Sequence, residues 1–390
     1  MTPSFTYNLA PSIKFGCGLA SKIGKEMLFI CPEKRVLIIS DRGVVAAGLA
    51  DPIMDSLKRN GFVVDLFSGL NAEASTVCID EAANLIRAAK PPSVIGLGGG
   101  SALDVAKLAT VLSTGDHGAE YYALMTQTLP HRTTKLIMLP TTAGSGAEVT
   151  RTAVFTNSDN RKVWAWGNEL AADLVILDPE LTLTLPKYLT AETGLDAMVH
   201  AIEACTVKGS HLLLQALGLH AIRLGVQNLK KSIDRPGDLD ARGKLLLAST
   251  LAGMAIDNAG TGIAHAIGHA LGTVAGIHHG RAAALALDVV FLKNTDAAVD
   301  IHSEVALALG VHHHKATGEM LAKMGAQAFS DFVRQSGIEI SLKGDGLSTD
   351  DLDRVVAAIG SKENIPMCDN NCYLASEADI REFARQLLSQ

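Results

Sequence analysis

Short apolar runs alternate with amphipathic stretches through the first half of the chain. The runs at 35–40 (RVLIIS), 63–67 (VVDLF), 93–97 (SVIGL), 135–139 (KLIML) and 174–178 (LVILD) read as strands. Their near-continuous Val, Ile and Leu content predicts strands buried on both faces. Segments 51–60 and 78–89 lie between them and carry helical spacing. Buried strands separated by helices predict a parallel sheet covered on both sides. Segment 6–15 is expected to add a strand or hairpin near the start.

The pattern changes after Pro186. Strand-like runs stop, and helical patterns occupy 191–205, 211–230, 241–255, 262–271, 317–335 and 377–388. The expected organisation is an α/β N-terminal domain with a parallel sheet over 1–186 and an all-helical C-terminal domain over 187–390. No internal repeat or low-complexity segment is visible. The run of three histidines at 312–314 reads as a solvated loop, since three adjacent imidazoles cannot face one site.

Composition narrows the class. The chain has 390 residues, 48% of them apolar and 19% charged, with 36 Gly, which excludes a disordered chain and a coiled coil. Lys and Arg number 34 against 41 Asp and Glu, a net charge of −7. An acidic chain without a basic run argues against a nucleic-acid partner. The six Cys are scattered with no CxxC pair, as expected of free thiols in a reducing, cytoplasmic setting. No signal peptide is apparent in MTPSFTYNLAPSIKFG. Residues 260–277 form 18 positions without a formal charge, long enough for a membrane span. They include His265, His269 and five Gly, so they read as a buried helix and no membrane association is expected.

Two loops carry candidate ligand chemistry. The strand at 93–97 runs through Gly98, Gly99, Gly100 and Ser101 into a helical stretch, ALDVAKLATVL. Glycines let a backbone approach phosphate closely, and a helix N-terminus offers N–H groups and a positive dipole end. The segment fits neither G-x-G-x-x-G nor a Walker A loop, and a ligand-free tight turn stays open. After the strand at 135–139 comes Pro140-Thr141-Thr142-Ala143-Gly144-Ser145-Gly146. Hydroxyls at the carboxyl end of a parallel strand lie where open α/β sheets bind ligands. Asp41, at the end of the first strand, either accepts from ribose hydroxyls, which favours NAD over NADP, or caps a helix.

The helical half carries the second constellation. Asp196 and His200 are spaced i, i+4 and share a helix face. His265 and His269 repeat that spacing, and His279 follows in IHHGR. Three His within 15 positions of an uncharged stretch are costly to bury without a shared partner. One Asp with several His and no Cys is a nitrogen and oxygen donor set for a divalent ion such as Fe²⁺ or Zn²⁺. His278 would point elsewhere, in a supporting or structural role.

With these residues in place, the chain resembles the iron-containing (group III) alcohol dehydrogenase family over nearly its whole length. Gly98-Gly99-Gly100-Ser101-Ala102-Leu103-Asp104-Val105-Ala106-Lys107 is similar to the family's GGGSxxDxAK motif. Residues 141–150 resemble its TTxGTGSE-type loop, and Leu177-Asp178-Pro179 its LDP. Gly194 to Glu203, then His265-Ala266-Ile267-Gly268-His269 and His279-Gly280, resemble the two halves of its metal site. The early Phe15-Gly16-Cys17-Gly18 is like its FGxG turn.

The resemblance implies NAD held by Asp41, Gly98, Gly99, Gly100, Ser101, Asp104, Thr141, Thr142 and Ser145. Asp104 is expected to orient the nicotinamide. It implies Asp196, His200, His265 and His279 as ligands of Fe²⁺, with Zn²⁺ possible, and His269 as the catalytic proton relay. The implied reaction is hydride transfer between a small primary alcohol, or its aldehyde, and NAD in the interdomain cleft of a homodimer or higher homo-oligomer.

Departures from the pattern bear on the substrate. Ile256, Asp257 and Arg281 stand where other residue types are common. Arg281 could meet an anionic substrate tail, which keeps open a hydroxy- or oxo-acid such as 4-hydroxybutyrate or maleylacetate. It could equally form a structural salt bridge. Cys368 and Cys372 either line the cleft or are packing thiols. No Lys occurs between 253 and 280, which sets the chain apart from the lyases of this architecture. The full ligand set sets it apart from the metal-free maleylacetate reductases. A non-catalytic metal- or nucleotide-binding protein is the remaining, weaker alternative.

Overall fold

The computed structural model describes residues 4–9, 11–70 and 73–390. Its contacts divide the chain into two units, each with its own core. The first comprises Leu9–Thr142 and Gly146–Leu185. The second comprises Pro186–Gln390 with Ala143–Ser145 and the described residues up to Asn8.

In the first unit the strands are β1 (Ser12–Phe15), β2 (Arg35–Asp41), β3 (Val63–Leu70), β4 (Ser93–Gly98), β5 (Lys135–Pro140), β6 (Thr152–Thr156), β7 (Lys162–Trp166) and β8 (Leu174–Leu177). Among the described residues, six form one sheet in the order β1-β8-β5-β4-β2-β3, with every pairing parallel. The register places Ile38, Ile95, Ile137 and Leu174 in one row across four strands. All four belong to an apolar core shared with Ile23, Met27, Ile53 and Leu57 of the flanking helices. Each such side chain contributes about 1.5–3 kcal/mol on burial. β4 is buried along its whole length, which is why its sequence shows no alternation.

Of the strand or hairpin expected near the start, the described residues give the strand β1, paired in parallel with β8; Ala10, within the expected segment, lies outside the described residues. A hairpin does occur between β6 and β7, where no element was expected. Its strands alternate buried and half-buried positions, as a two-stranded ribbon over a core must.

Polar side chains fix the turns that carry the loops. Asp178 is buried after β8 and accepts from the N–H groups of Gly18 (3.1 Å), Ala20 (2.9 Å) and Glu180 (3.0 Å). Ser75 caps the helix Thr76–Ala89. Lys107 is fully buried in the helix Gly100–Leu112 and donates to Ala147 O at 2.9 Å, Thr150 Oγ1 at 3.2 Å and Thr152 O. It also pairs with Asp104 at 2.8 Å.

The second unit is helical. Its central helices are Lys187–Thr206, Leu212–Asp234, Leu239–Ala259, Ile263–Ala275 and His279–Thr295, with Val299–Ala308, Gly318–Gln335 and Glu377–Leu388 around them. The uncharged stretch at 260–277 contains the buried helix Ile263–Ala275, as expected. Among the described residues, no helix is long and apolar enough to cross a membrane. The helix His279–Thr295 was not expected. Residues 280–287 are buried all round, so no polar stripe marks their period.

Candidate metal and cofactor site

The glycine turn lies at the carboxyl end of β4. Gly98 has φ +152°, and a Cβ there would stand 2.6 Å from Ala102 Cβ and 3.0 Å from Asp41 Oδ2, so only glycine fits. Gly99 is the N-cap of the helix Gly100–Leu112 and supplies no side-chain acceptor. The first N–H groups of this helix therefore lack a side-chain cap, the arrangement that receives phosphate. Thr141 donates its N–H to Gly98 O at 3.0 Å, and the Thr142 side chain lies beside Gly99. Ala143–Ser145 group with the helical unit, where Gly144 packs on Thr193.

Two of the expected cofactor residues have local duties. Asp41 Oδ1 accepts from Val44 N–H at 2.8 Å and caps the short helix Arg42–Ala46. Asp104 faces Lys107 and accepts from Val154 N–H at 3.1 Å, tying its helix to β6. Burial raises the Asp104 carboxyl above its ordinary range despite Lys107. These bonds account for Asp104 without a ligand, and its expected role at the nicotinamide gains no support from them.

In the helical unit, Asp196, His200, His265 and His279 offer ligand atoms that all lie within 4.8 Å of one another. Asp196 and His200 project from one face of the helix Lys187–Thr206, as their spacing requires. His265 comes from the helix Ile263–Ala275, and His279 opens the next one. That helix comes close because residue 280 is glycine: a Cβ there would stand 2.1 Å from Glu192 O. Asp196 Oδ1 is then 3.5 Å from His279 Nε2 and 3.8 Å from His265 Nε2, and Asp196 Oδ2 is 3.9 Å from His200 Nδ1.

These separations are too long for hydrogen bonds. Donors about 2.1 Å from a common ion stand roughly 3–3.6 Å apart, so the cluster is at that spacing for one pair and a few tenths of an ångström wider for the other two. Asp196 Oδ1, His200 Nδ1 and His265 Nε2 are buried with no hydrogen-bond partner among the described residues. Burying three such atoms side by side is unfavourable unless a cation joins them. The donor set, one carboxylate and three imidazoles, is that of a divalent transition metal.

The electrostatics agree. Burial raises the Asp196 carboxyl, but the imidazoles of His200, His279 and His265 outweigh it and leave the group lowered. Burial, followed by the neighbouring His200 and His279, drives His265 well below the ordinary histidine value. His265 is thus neutral, the form that ligates a metal. Its Nδ1 lies 2.6 Å from Glu203 Oε2. Burial pushes the Glu203 carboxyl up to about 7, against the Gly262 and Ala264 N–H groups that pull it down. His269 is buried beside the cluster, its ring centre 5.2 Å from that of His279. His278 turns away and meets Glu192 at 3.1 Å.

The surroundings of three further groups favour roles in packing or at the surface. Arg281 is buried, donates to Glu339 O (2.6 Å) and Ser341 O (2.8 Å), and pairs with Asp345 at 2.9 Å. Its guanidinium is occupied inside the helical unit, which favours the structural salt bridge of its two open readings. Cys368 and Cys372 are half-buried thiols that burial pushes up to about 11, the range of packing thiols. His312, His313 and His314 are exposed in a loop. Glu203 went unremarked as a site residue, although it follows Asp196 and His200 at i+7 and i+3 on the same face.

A glycine turn that opens a helix at the sheet's carboxyl edge, with an Asp–His cluster in a helical unit, combines a candidate phosphate cradle with a candidate metal site. The chain belongs to the iron-containing alcohol dehydrogenase family, whose first model matches residues 10–179 and whose C-terminal model matches residues 190–387. It is similar to choline dehydrogenase of Bacillus subtilis, 32% identical over 90% of this chain and 87% of that one. Among solved structures it is similar to 1,3-propanediol oxidoreductase, with TM-score 0.90 and 28% identity over 99% of this chain and 100% of that one. It is also similar to sulfoacetaldehyde reductase from Bifidobacterium kashiwanohense in complex with NAD⁺, with TM-score 0.89 and 27% identity over the whole of both chains. A cation, a neutral diol and an anion are named across these three relatives, so family membership leaves the substrate open.

Proposed function

We propose that this enzyme oxidises a small neutral primary alcohol with NAD⁺, or reduces the matching aldehyde with NADH, using Fe²⁺ held by Asp196, His200, His265 and His279. The observation that carries the reading is the convergence of those four side chains within 4.8 Å. When bound, the ion would supply Lewis acidity and NAD the hydride acceptor or donor. Asp196 supplies the one negative charge of the donor set. His269 carries the alcohol proton away, since it is the remaining histidine beside the cluster. The N–H groups after Gly99 hold the pyrophosphate, Thr141, Thr142 and Ser145 bond the cofactor, and Asp41 turns its second oxygen to the ribose.

A neutral substrate is favoured because Arg281 is already occupied by Asp345 and two carbonyls. The broader setting we infer is a homo-oligomer in a reducing compartment, in keeping with six free thiols. The test is an anaerobic assay at 340 nm on stripped protein reloaded with Fe²⁺ or Zn²⁺. Ethanol, 1,3-propanediol, choline and 4-hydroxybutyrate would be compared. NADH formation that needs the metal, is highest with Fe²⁺ and prefers the neutral alcohols is expected. Undiminished activity after stripping would overturn the metal reading, and a preference for 4-hydroxybutyrate would overturn the neutral substrate.

A further inference from the structure

We propose that Glu203 is a positioning residue for the metal centre: it fixes the tautomer and orientation of His265, so that the imidazole presents its Nε2 lone pair to the ion. The proposal rests on the four-ligand reading above.

His265 is almost fully buried, and its two ring nitrogens have different surroundings. Nδ1 lies 2.6 Å from Glu203 Oε2. Nε2 lies 3.8 Å from Asp196 Oδ1 and has no hydrogen-bond partner among the described residues. A neutral imidazole carries one N–H, and a carboxylate oxygen can only accept. Both Glu203 oxygens already accept backbone N–H groups, which favours the ionised carboxylate, and the short contact to it then places the proton on Nδ1 and leaves the lone pair on Nε2. That lone pair lies in the ring plane, so fixing the ring also aims it.

Glu203 is itself held from a third direction. Its Oε2 accepts from Gly262 N–H at 2.8 Å and its Oε1 from Ala264 N–H at 2.9 Å. Those groups open the helix Ile263–Ala275, whose N-cap Gly262 supplies no side chain. The carboxylate thus docks the start of the helix that bears His265 onto the helix that bears Asp196 and His200. Position 203 lies on the face of those two ligands, so one strip of the helix Lys187–Thr206 provides two metal donors and the support of a third. Glu203 touches neither substrate nor cofactor in this account. It acts through His265.

A purely structural cap is the rival role, and the experiment must separate the two. The full-length metal-free protein would be labelled with ¹⁵N at histidine, and His265 assigned by difference against His265→Gln. The proposal expects an unprotonated Nε2 and a protonated Nδ1 in the wild type, a result that needs no Glu203 variant to fold. A proton on Nε2 would overturn it. In Glu203→Gln, the amide keeps one oxygen for the helix N–H groups and sets a donor among the same partners. A mixed or reversed tautomer at His265 is expected. Zn²⁺ affinity, measured by chelator competition, should weaken by about 10–100-fold. Glu203→Asp should recover part of it. Unchanged ¹⁵N shifts at His265 with Zn²⁺ affinity within twofold of the wild type would overturn the proposal. Failure of the underlying metal reading is distinct, because the wild type itself would then bind no Zn²⁺.

Discussion

Lys107 and Asp196 are both buried charges, and the two units treat them in opposite ways. In the sheet unit, Lys107 is enclosed by oxygens of Ala147, Thr150 and Thr152 and by the Asp104 carboxylate. Asp178 likewise has three N–H donors. Each charge is answered by the chain itself, and the result is a fixed backbone around the glycine turn. In the helical unit, Asp196 Oδ1, His200 Nδ1 and His265 Nε2 are buried beside one another with no hydrogen-bond partner among the described residues. Satisfied burial holds a fold, whereas convergent unsatisfied burial reserves a place for something else.

The contrast is most exposed at the cluster. Asp196→Ala should abolish tight metal binding and lower kcat/KM by at least about a thousandfold, equivalent to about 4 kcal/mol of transition-state stabilisation. The urea midpoint of the metal-free protein should change little, since the variant removes a buried oxygen, Oδ1, that has no hydrogen-bond partner among the described residues, set against the loss of the imidazoles' attraction. Metal analysis and NADH assays check the first part, and equilibrium unfolding the second. A large loss of metal-free stability would show that Asp196 is a structural charge after all.

Lys107→Met is the mirror experiment. Breaking a buried pair by removing one partner costs about 3–5 kcal/mol, so Asp104 left alone should destabilise the sheet unit by that order. Unfolding in urea would show it, and adding Asp104→Asn should restore part of the loss. Zn²⁺ affinity measured in the folded range should not change. A weaker Zn²⁺ complex in Lys107→Met would break the separation of duties.

A third effect is smaller. Fe²⁺ or Zn²⁺ at 100 times its dissociation constant should stabilise the wild type by about 2.7 kcal/mol. Calorimetry should register the gain in the wild type and none in Asp196→Ala.

Acidification gives the mildest contrast. His302 is buried in the helical unit, and burial depresses its imidazole despite the bond its Nδ1–H donates to Ala298 O. A base depressed in the folded state contributes stability that is present above its unfolded value, near 6.5, and lost as the pH falls below it. In the sheet unit, burial raises Asp173, but Leu136 N–H, Arg132 and Lys135 together leave its carboxyl lowered. That contribution is present above the unfolded value of about 3.9 and is lost as the pH falls through the folded one. Metal-free protein should therefore begin to lose helical-unit stability at a higher pH than sheet-unit stability. His302→Leu should remove part of the upper step in a pH series of thermal melts, and Asp173→Asn part of the lower.

What could be read from the chain was local pattern. Strands buried on both faces announced the parallel sheet, and the i, i+4 pair Asp196 and His200 announced a shared helix face. Glu203 lies in the same stretch, but its partners Gly262, Ala264 and His265 come from another helix. No spacing rule connects them. Arg281 stayed between a salt bridge and a substrate contact for the same reason, as its acceptors lie at 339, 341 and 345. Asp41 stood between two readings because a strand-end carboxylate has two oxygens, and the cap uses only one. The helix His279–Thr295 escaped notice because an Ala-rich segment buried on all sides has no periodic signal.

Gly280 carries one more consequence. The hydrogen atom it presents to Glu192 O lets two backbones meet, and that meeting, more than any side-chain preference, sets how far His279 stands from Asp196. The donors are preorganised by main-chain contact. Their ordering entropy is lost when the chain folds, so an arriving ion does not have to order them again. A rigid frame also discriminates by size, since it cannot relax around an ion whose preferred bond lengths differ. A methyl group at 280 would loosen that gauge without altering a single ligand.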